Sequence, residues 1–176
     1  LAAAARDAGA EVTRIGIIGN EKDLRETVES LVNRSEVVLI AGAVGGEAAE
    51  NLRTVLSQLG TMEVSRVAMH PGSVQGFGQL GPEGVPTFLL PANPVSALVV
   101  FEVMVRPLIR LSLGKRQPMR RTVRARALAP IRSIAGRTGF LRGQLLRDQD
   151  SGDYLVEAIG DTPSPSFVMR FLFVDP

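Results

Sequence analysis

The chain has 176 residues, enough to bury a full hydrophobic core, and its 45% apolar and 22% charged residues are ordinary for a globular protein. It contains no cysteine, which excludes disulfides and thiolate metal sites and suits a cytoplasmic protein. No apolar run approaches the roughly 18 residues of a membrane-spanning helix, which argues against a membrane protein.

The start of the chain does not look like a processed export segment. It lacks the basic start of a secretory signal, and it begins at Leu1 without an initiator Met. We therefore expect the chain to be the later part of a longer protein. Residues 1–8 predict the end of a helix closed by Gly9, and residues 12–18, rich in β-branched side chains, predict a strand.

Helical and strand patterns alternate over the first two thirds of the chain. Apolar residues at helical spacing predict helices near residues 23–32 and 52–59, and a longer one beginning at Val95. Short buried runs predict strands at residues 36–40, 64–69 and 87–90. This order is typical of β-α-β units. It predicts an α/β fold, a three-layer α/β/α domain with a mainly parallel sheet.

Ligands of such folds bind on loops at the carboxyl ends of strands, and three loops are candidates. The first contains glycines that let backbone N–H groups approach an anionic oxygen, namely Gly42, Gly45 and Gly46. The second follows Met69 and contains His70, Pro71, Gly72 and Ser73. The third joins the run at residues 87–90 to the long helix and contains Pro91, Asn93, Pro94 and Ser96.

The third loop has the clearest chemistry. Asn93 is a preferred N-cap residue, and Pro94 suits the first helical position. The helix would then aim unpaired backbone N–H groups and the positive end of its dipole at the carboxyl edge of the sheet, where an anion could bind. Ordinary turns without a ligand explain all three loops as well, and the residues alone leave both interpretations open.

Charge is distributed unevenly. Residues 106–142 contain eleven basic residues and no acidic one. The segment has a single aromatic residue, Phe140, which argues against a nucleic-acid partner because single-strand binders stack bases on several aromatic rings. A solvated basic face, a contact between subunits and a surface for an anionic ligand or protein partner remain open.

The composition changes after Gly114. Residues 115–118 predict a linker, and four strand patterns follow, separated by turn signals. The predicted strands span residues 122–128, 139–146, 154–159 and 167–174. We therefore predict two domains, an α/β domain over residues 1–114 and a small all-β domain over residues 115–176.

Three segments together resemble a known family. Residues 66–78 read RVAMHPGSVQGFG, residues 87–102 read TFLLPANPVSALVVFE, and residues 105–107 read VRP. They resemble the molybdopterin molybdenumtransferase family, the group of bacterial MoeA and the gephyrin E domain. The resemblance covers about residues 1–143 and is most specific at residues 93–97. It implies a molybdopterin-binding α/β domain followed by a C-terminal, barrel-like β domain.

The resemblance also implies a function, which is molybdenum cofactor biosynthesis. Members insert molybdenum from molybdate into adenylylated molybdopterin and release AMP with the help of a divalent cation, here Mg²⁺, and they generally work as homodimers. The three loops would hold the pterin phosphate and molybdate. The alternative is a noncatalytic, gephyrin-like scaffold, with a protein partner on the basic C-terminal region.

Several positions depart from the family's pattern. Ala92 stands where the family has glycine, and Ser73 stands where a lysine is common. The first loop lacks the family's hydroxyls, and Ala48 stands at an acidic position, which leaves Glu47 and Glu50 as candidate magnesium ligands. These departures, and the missing N-terminal region, lead us to expect that this segment alone does not turn over substrate.

Overall fold

The chain forms two compact units. The computed structural model describes residues 1–16, 21–44, 47–159 and 170–174. The first unit comprises Leu1–Val67 and Gly72–Met119, and the second comprises Ala68–Pro71 and Arg120–Pro176. The chain therefore leaves the first unit after Val67 and returns to it at Gly72.

The first unit combines helices with one sheet. Its described helices are α1 (Ala2–Ala8), α2 (Glu21–Val32), α3 (Glu47–Leu59), α4 (Pro94–Val100) and α5 (Arg106–Ser112), with a π-helical turn at Phe101–Val105. Its described strands are β1 (Val38–Val44), β2 (Gly60–Arg66), β4 (Val74–Leu80) and β5 (Val85–Pro91). The predicted helices are confirmed, and Gly9 ends α1 in the left-handed conformation with φ 109°.

The sheet of the first unit is mixed, so the prediction of a mainly parallel sheet is wrong. The strand order is β1-β5-β4-β2, and of these pairs β1 and β5 run parallel, whereas β4 is antiparallel to both β5 and β2. The short link over residues 81–84 explains this, because a parallel pair needs a crossover of a dozen or more residues.

Two predicted strands of the first unit differ from the structure. Residues 12–16 form neither helix nor strand and are mostly exposed, and residues 17–18 lie outside the described part. β-branched residues favour extended backbone, but a strand also needs a partner, and β1 pairs only with β5 among the described strands. The strand predicted at residues 64–69 begins earlier, at Gly60, and ends at Arg66.

The main core lies between the sheet and helices α2 and α3. Its buried side chains include Val28, Val32, Leu52, Leu56, Val38, Leu80 and Leu89. Helix α4 packs on β5, and α1 packs on α5. Within the described residues, no helix is long and apolar enough to cross a membrane.

An ion network around the buried Arg106 ties α1, through the exposed Asp7, to the long helical segment. The Arg106 guanidinium, 7% exposed, lies 3.4 Å from the Glu102 carboxylate and 3.5 Å from that of Asp7. The π-helical turn just before it has a local cause in Pro107, which lacks an N–H and whose ring would clash with a carbonyl of the preceding turn. The helix therefore widens without ending.

The second unit has its own sheet, built around one long strand. Its described strands are β3 (Met69–His70), β6 (Arg126–Ala127), β7 (Thr138–Arg147), β8 (Tyr154–Ala158) and β9 (Arg170–Val174). β7 pairs with β3, β8 and β9, and β6 pairs with β8.

The predicted strands of the second unit are confirmed in part. The strands at residues 139–146 and 154–159 are present, and the strand predicted at residues 122–128 is reduced to Arg126–Ala127. Of residues 167–174, the first three lie outside the described part. The described strands do not close into a barrel, which corrects the barrel-like prediction. The two-residue strands β3 and β6 are too short to complete a closed ring of hydrogen bonds.

Candidate functional site

Two of the three predicted loops start side by side. Strands β1 and β5 are parallel neighbours, and their register pairs Ala41 with Leu90 and Val44 with Pro91. The register shifts between Ala41 and Val44, where Gly42 has φ 80°, a conformation that favours glycine. We use the name "loop end" for the edge of the sheet at which strands β1 and β5 terminate. Gly45 and Gly46 of the first loop lie outside the described residues.

Gly72 and Ser73 reach the loop end by a different route from the one predicted. β4 starts at Val74 and runs antiparallel to β5, with Gly76 opposite Leu89, so the start of β4 lies beside the end of β5. The prediction placed these residues after a parallel strand of the same sheet. Instead, the preceding strand, β3, pairs with β7 in the second unit.

His70 and Pro71 belong to the second unit. A cis peptide bond joins them, and His70 pairs with Gly139 of β7. Pro71 is half-buried, and His70 is exposed. The second predicted loop is thus divided between the two compact units, with Gly72 and Ser73 in the first.

Asn93 caps helix α4 as the sequence predicts, and this changes what the helix can offer a ligand. Its side-chain Oδ1 accepts hydrogen bonds from the backbone N–H groups of Val95 (3.0 Å) and Ser96 (3.1 Å). The N–H of Ala97 donates to the Asn93 carbonyl at 2.9 Å. Pro94 has no N–H, so the prediction of unpaired N–H groups in the first turn is wrong.

The junction around Asn93 is nevertheless open to a ligand. Asn93 and Pro94 are exposed, and Pro91 and Ser96 are half-buried. The Asn93 Nδ2 amide group has no acceptor among the described residues, which leaves a hydrogen-bond donor at the loop end. Ala92, in place of the family's glycine, is exposed and does not have a positive φ, so alanine fits this backbone without strain.

The candidate magnesium ligands do not form a site among the described residues. Glu50 lies in the first turns of α3 and forms an ion pair with Arg53. The side chain of Glu47, the first residue of that helix, is outside the described part. No three His, Asp or Glu side chains that could hold a metal ion come together in the described ranges. The residues seen here therefore do not fit Mg²⁺ by themselves.

One polar residue next to this site, Gln75, is not predicted from the sequence. Gln75 is only 9% exposed, and its Nε2 donates to the carbonyl of Gly72 at 3.2 Å. Close by, the Val67 N–H donates to the Ser73 carbonyl at 2.7 Å. A glutamine at a buried strand position could have signalled this contact, but β4 itself was not predicted.

Comparisons with known proteins give one consistent result. Residues 1–111 match the family described as "Probable molybdopterin binding domain". Molybdopterin molybdenumtransferase 1 of Mycobacterium tuberculosis is 74% identical over 167 residues, which cover 94% of this chain and 39% of that protein. Molybdopterin molybdenumtransferase 2 of the same organism is 34% identical over 179 residues, which cover 98% of this chain and 42% of that protein. The chain thus spans about two fifths of the length of these curated relatives.

Solved structures agree with the fold. The molybdopterin biosynthesis MoeA protein of Pyrococcus horikoshii matches with a TM-score of 0.60 and 31% identity over 80% of this chain and 32% of its own. A molybdenum cofactor biosynthesis protein of Pyrococcus furiosus matches with a TM-score of 0.64 and 20% identity. The match covers 98% of this chain and 55% of that protein. The second likeness supports the fold alone.

Proposed function

Because this chain belongs to the family of the probable molybdopterin binding domain, we propose that the protein containing it is a molybdopterin molybdenumtransferase. The proposed reaction transfers molybdenum from molybdate to adenylylated molybdopterin and releases AMP. The observation that carries the proposal is the convergence of Gly42, Gly72 and the Asn93 cap at the loop end of one sheet.

The proposed ligand contacts follow from the donors at the loop end. The pterin carries phosphate, so its site needs hydrogen-bond donors and close backbone approach. The Asn93 amide, the Ser73 hydroxyl and the backbone at Gly42 supply these. The proposed binding residues are Gly42, Gly45, Gly46, Pro71, Gly72, Ser73, Pro91, Asn93, Pro94 and Ser96. Gly45, Gly46 and Pro71 are included because of their sequence motifs.

Catalysis by this site would depend on positioning and on charge neutralisation rather than on a covalent nucleophile. The backbone and amide donors would orient the anionic groups of both substrates. We also propose a homodimer, as the family resemblance implies, and a cytoplasmic location, which the absence of cysteine suits. Magnesium, with Glu47 and Glu50 as candidate ligands, would need oxygen ligands from other parts of the whole protein, because the described residues do not assemble a site.

A noncatalytic scaffold has weaker support. Gephyrin of Dictyostelium discoideum is 25% identical over 114 residues, whereas the relatives with 74% and 34% identity are named transferases. A protein partner on the basic region remains a separate proposal, based on six exposed arginines: Arg120, Arg121, Arg124, Arg126, Arg132 and Arg137. An acidic partner would bind less tightly at high salt and to an Arg121→Glu, Arg124→Glu double variant.

Calorimetric titration of molybdopterin into the full-length protein tests the proposed function. Asn93→Asp keeps an N-cap acceptor but replaces the amide donor with a negative oxygen, so we expect binding to weaken at least about tenfold while the helix stays capped. Asn93→Ala should lose both the cap and the donor. Asn33→Ala is the matched control, because Asn33 is also exposed but precedes β1 at the opposite end of the sheet.

Two results would overturn the proposal. The first is that the wild-type protein does not bind molybdopterin at all. The second is that both Asn93 variants bind it as tightly as the Asn33 control does. AMP release from adenylylated molybdopterin in the presence of molybdate then checks turnover, and we expect release by the whole protein and none by these 176 residues alone.

A further inference from the structure

Gln75 is a buried polar side chain in strand β4. It is 9% exposed and pairs in register with Ser65 of β2. A buried amide is unfavourable unless its donors and acceptors are satisfied, so the contacts of Gln75 determine where it can sit. One of these contacts is the 3.2 Å hydrogen bond from its Nε2 to the Gly72 carbonyl.

The carbonyl that accepts this hydrogen bond belongs to Gly72, the residue at which the chain returns to the first unit. Gly72 has φ 89°, and glycine is the residue with the greatest backbone freedom. Val67 is the last residue before the chain leaves the first unit, and its N–H donates to the Ser73 carbonyl at 2.7 Å. Two consecutive carbonyls are therefore held, one by the backbone of Val67 and one by the side chain of Gln75.

Holding the Gly72 carbonyl also sets the direction of the next N–H group. The Gly72 carbonyl and the Ser73 N–H share one planar trans peptide unit, in which they point in opposite directions. A bond that holds the carbonyl toward Gln75 therefore aims the Ser73 N–H away from Gln75. Ser73 also lacks the charge of the lysine common at this position, so a backbone donor carries more of any interaction with phosphate.

We propose that Gln75 is a positioning residue that aims the Ser73 N–H at the anionic group of the pterin. This inference rests on the proposed function, which places Gly72 and Ser73 in the ligand site. Gln75 itself does not touch the ligand. Its loss should therefore weaken binding and raise KM, whereas kcat should stay close to the wild-type value.

The test uses Gln75→Met in the full-length protein, since methionine has a similar size but no donor. We expect the Kd for molybdopterin to rise about tenfold, the loss of about one well-aligned hydrogen bond. We also expect faster hydrogen exchange at the Val67 amide, because the Ser73 carbonyl that it bonds would be less firmly held. Gln79→Met is the matched control, on the same strand but exposed.

Gln75→Glu adds a pH-dependent readout. The ionised carboxylate cannot donate to the Gly72 carbonyl, whereas the protonated carboxyl can. Binding by this variant should therefore recover as the pH falls, when measured relative to Gln75→Met at each pH. A packing role alone predicts that protonation, by removing a buried charge, brings binding only up to the Gln75→Met value, whereas the positioning role predicts tighter binding than that of Gln75→Met.

Each outcome decides between the two proposals. Wild-type Kd and wild-type Val67 exchange in Gln75→Met would overturn the positioning role. Lower thermal stability, a lower kcat and a higher KM in Gln75→Met, with Gln75→Glu binding no more tightly than Gln75→Met at low pH, would assign Gln75 to packing alone and also overturn it. If the wild-type protein does not bind molybdopterin, the proposed function fails, and Val67 exchange still tests the positioning of the loop.

Discussion

The two units of this chain are stabilised in different ways. The first buries a continuous apolar cluster drawn from α2, α3 and the sheet. In the described part of the second unit, the buried apolar side chains are Met69, Phe140 and Val156. Several others are exposed, among them Val123, Leu128, Ile134 and Tyr154.

The difference follows from composition. The first unit places apolar residues at regular spacing, so helices and strands have matching faces to bury. In the arginine-rich segment of the second unit most apolar side chains are exposed rather than buried, so backbone pairing and turns contribute more to its shape. We therefore expect packing changes in the first unit to have large effects and changes in the turns of the second to have local ones.

Gly78→Ala should have the largest effect. A Cβ at this position would lie 2.0 Å from the Thr61 carbonyl oxygen and 2.8 Å from the Met62 Cα, so β2 and β4 would have to separate. We expect the free energy of unfolding to fall by about 4 kcal/mol, at the severe end for a single substitution. Urea denaturation followed by circular dichroism measures it.

Gly16→Ala is the control for this substitution. A Cβ at Gly16 would meet nothing within 4 Å, and its φ is not positive. The change should stay within about 0.5 kcal/mol. Equal effects of the two substitutions would contradict the close approach of β2 and β4. They would also contradict the expectation that packing changes in the first unit have large effects.

Arg106→Met should have the next largest effect. It removes the guanidinium from the Glu102 carboxylate, which is 11% exposed, and from Asp7 of α1. Breaking one partner of a buried ion network costs about 3 kcal/mol, because it leaves a buried charge without its former partner. The measurement is again the free energy of unfolding.

A double variant distinguishes the charge effect from packing. Adding Glu102→Gln to Arg106→Met removes the charge left behind, so about half of the lost stability should return. If the double variant is as unstable as the sum of the two single variants, the network contributes through packing of the long arginine side chain instead.

Sequence patterns predicted the parts of the fold that depend on local spacing. The helices, the Gly9 cap and the Asn93 cap are all signalled within a few residues and are confirmed. Strand β4 was missed because Gly76 and Gly78 interrupt its apolar alternation. Those glycines serve close packing, since a Cβ at Gly76 would lie 2.9 Å from the Leu89 side chain.

The site was harder to predict because it depends on pairing between distant residues. Gly72 and Ser73 reach the loop end only because β4 runs antiparallel to β5. Likewise, β3 leaves the first unit because it pairs with Thr138 and Gly139, far along the chain. Local spacing carries no information about either pairing. The contact of Gln75 with Gly72 likewise depends on strand β4, which the sequence pattern does not predict.

Asp148 offers the smallest and most local test, at the turn between β7 and β8. Its Oδ1 accepts hydrogen bonds from the backbone N–H groups of Asp150 (3.0 Å) and Ser151 (3.4 Å). These bonds, with a smaller contribution from Arg126, hold the pKa of Asp148 below its ordinary value of 3.8, because they favour the charged form.

The pH dependence has a definite sign. Because folding lowers this pKa, the charged turn contributes stability above the unfolded value, and that contribution disappears as the pH falls through the lower folded value. Asp148→Asn keeps the acceptor oxygen but has no charge to lose. Exchange at the Ser151 amide should therefore accelerate in the wild type as the pH falls below the ordinary value of 3.8, after correction for intrinsic rates, and should do so more than in the variant. A carboxyl that titrates at or above its ordinary pKa, followed by NMR, would contradict the turn's role. A large change in global unfolding would instead show that the second unit depends on this turn as strongly as the first depends on its core.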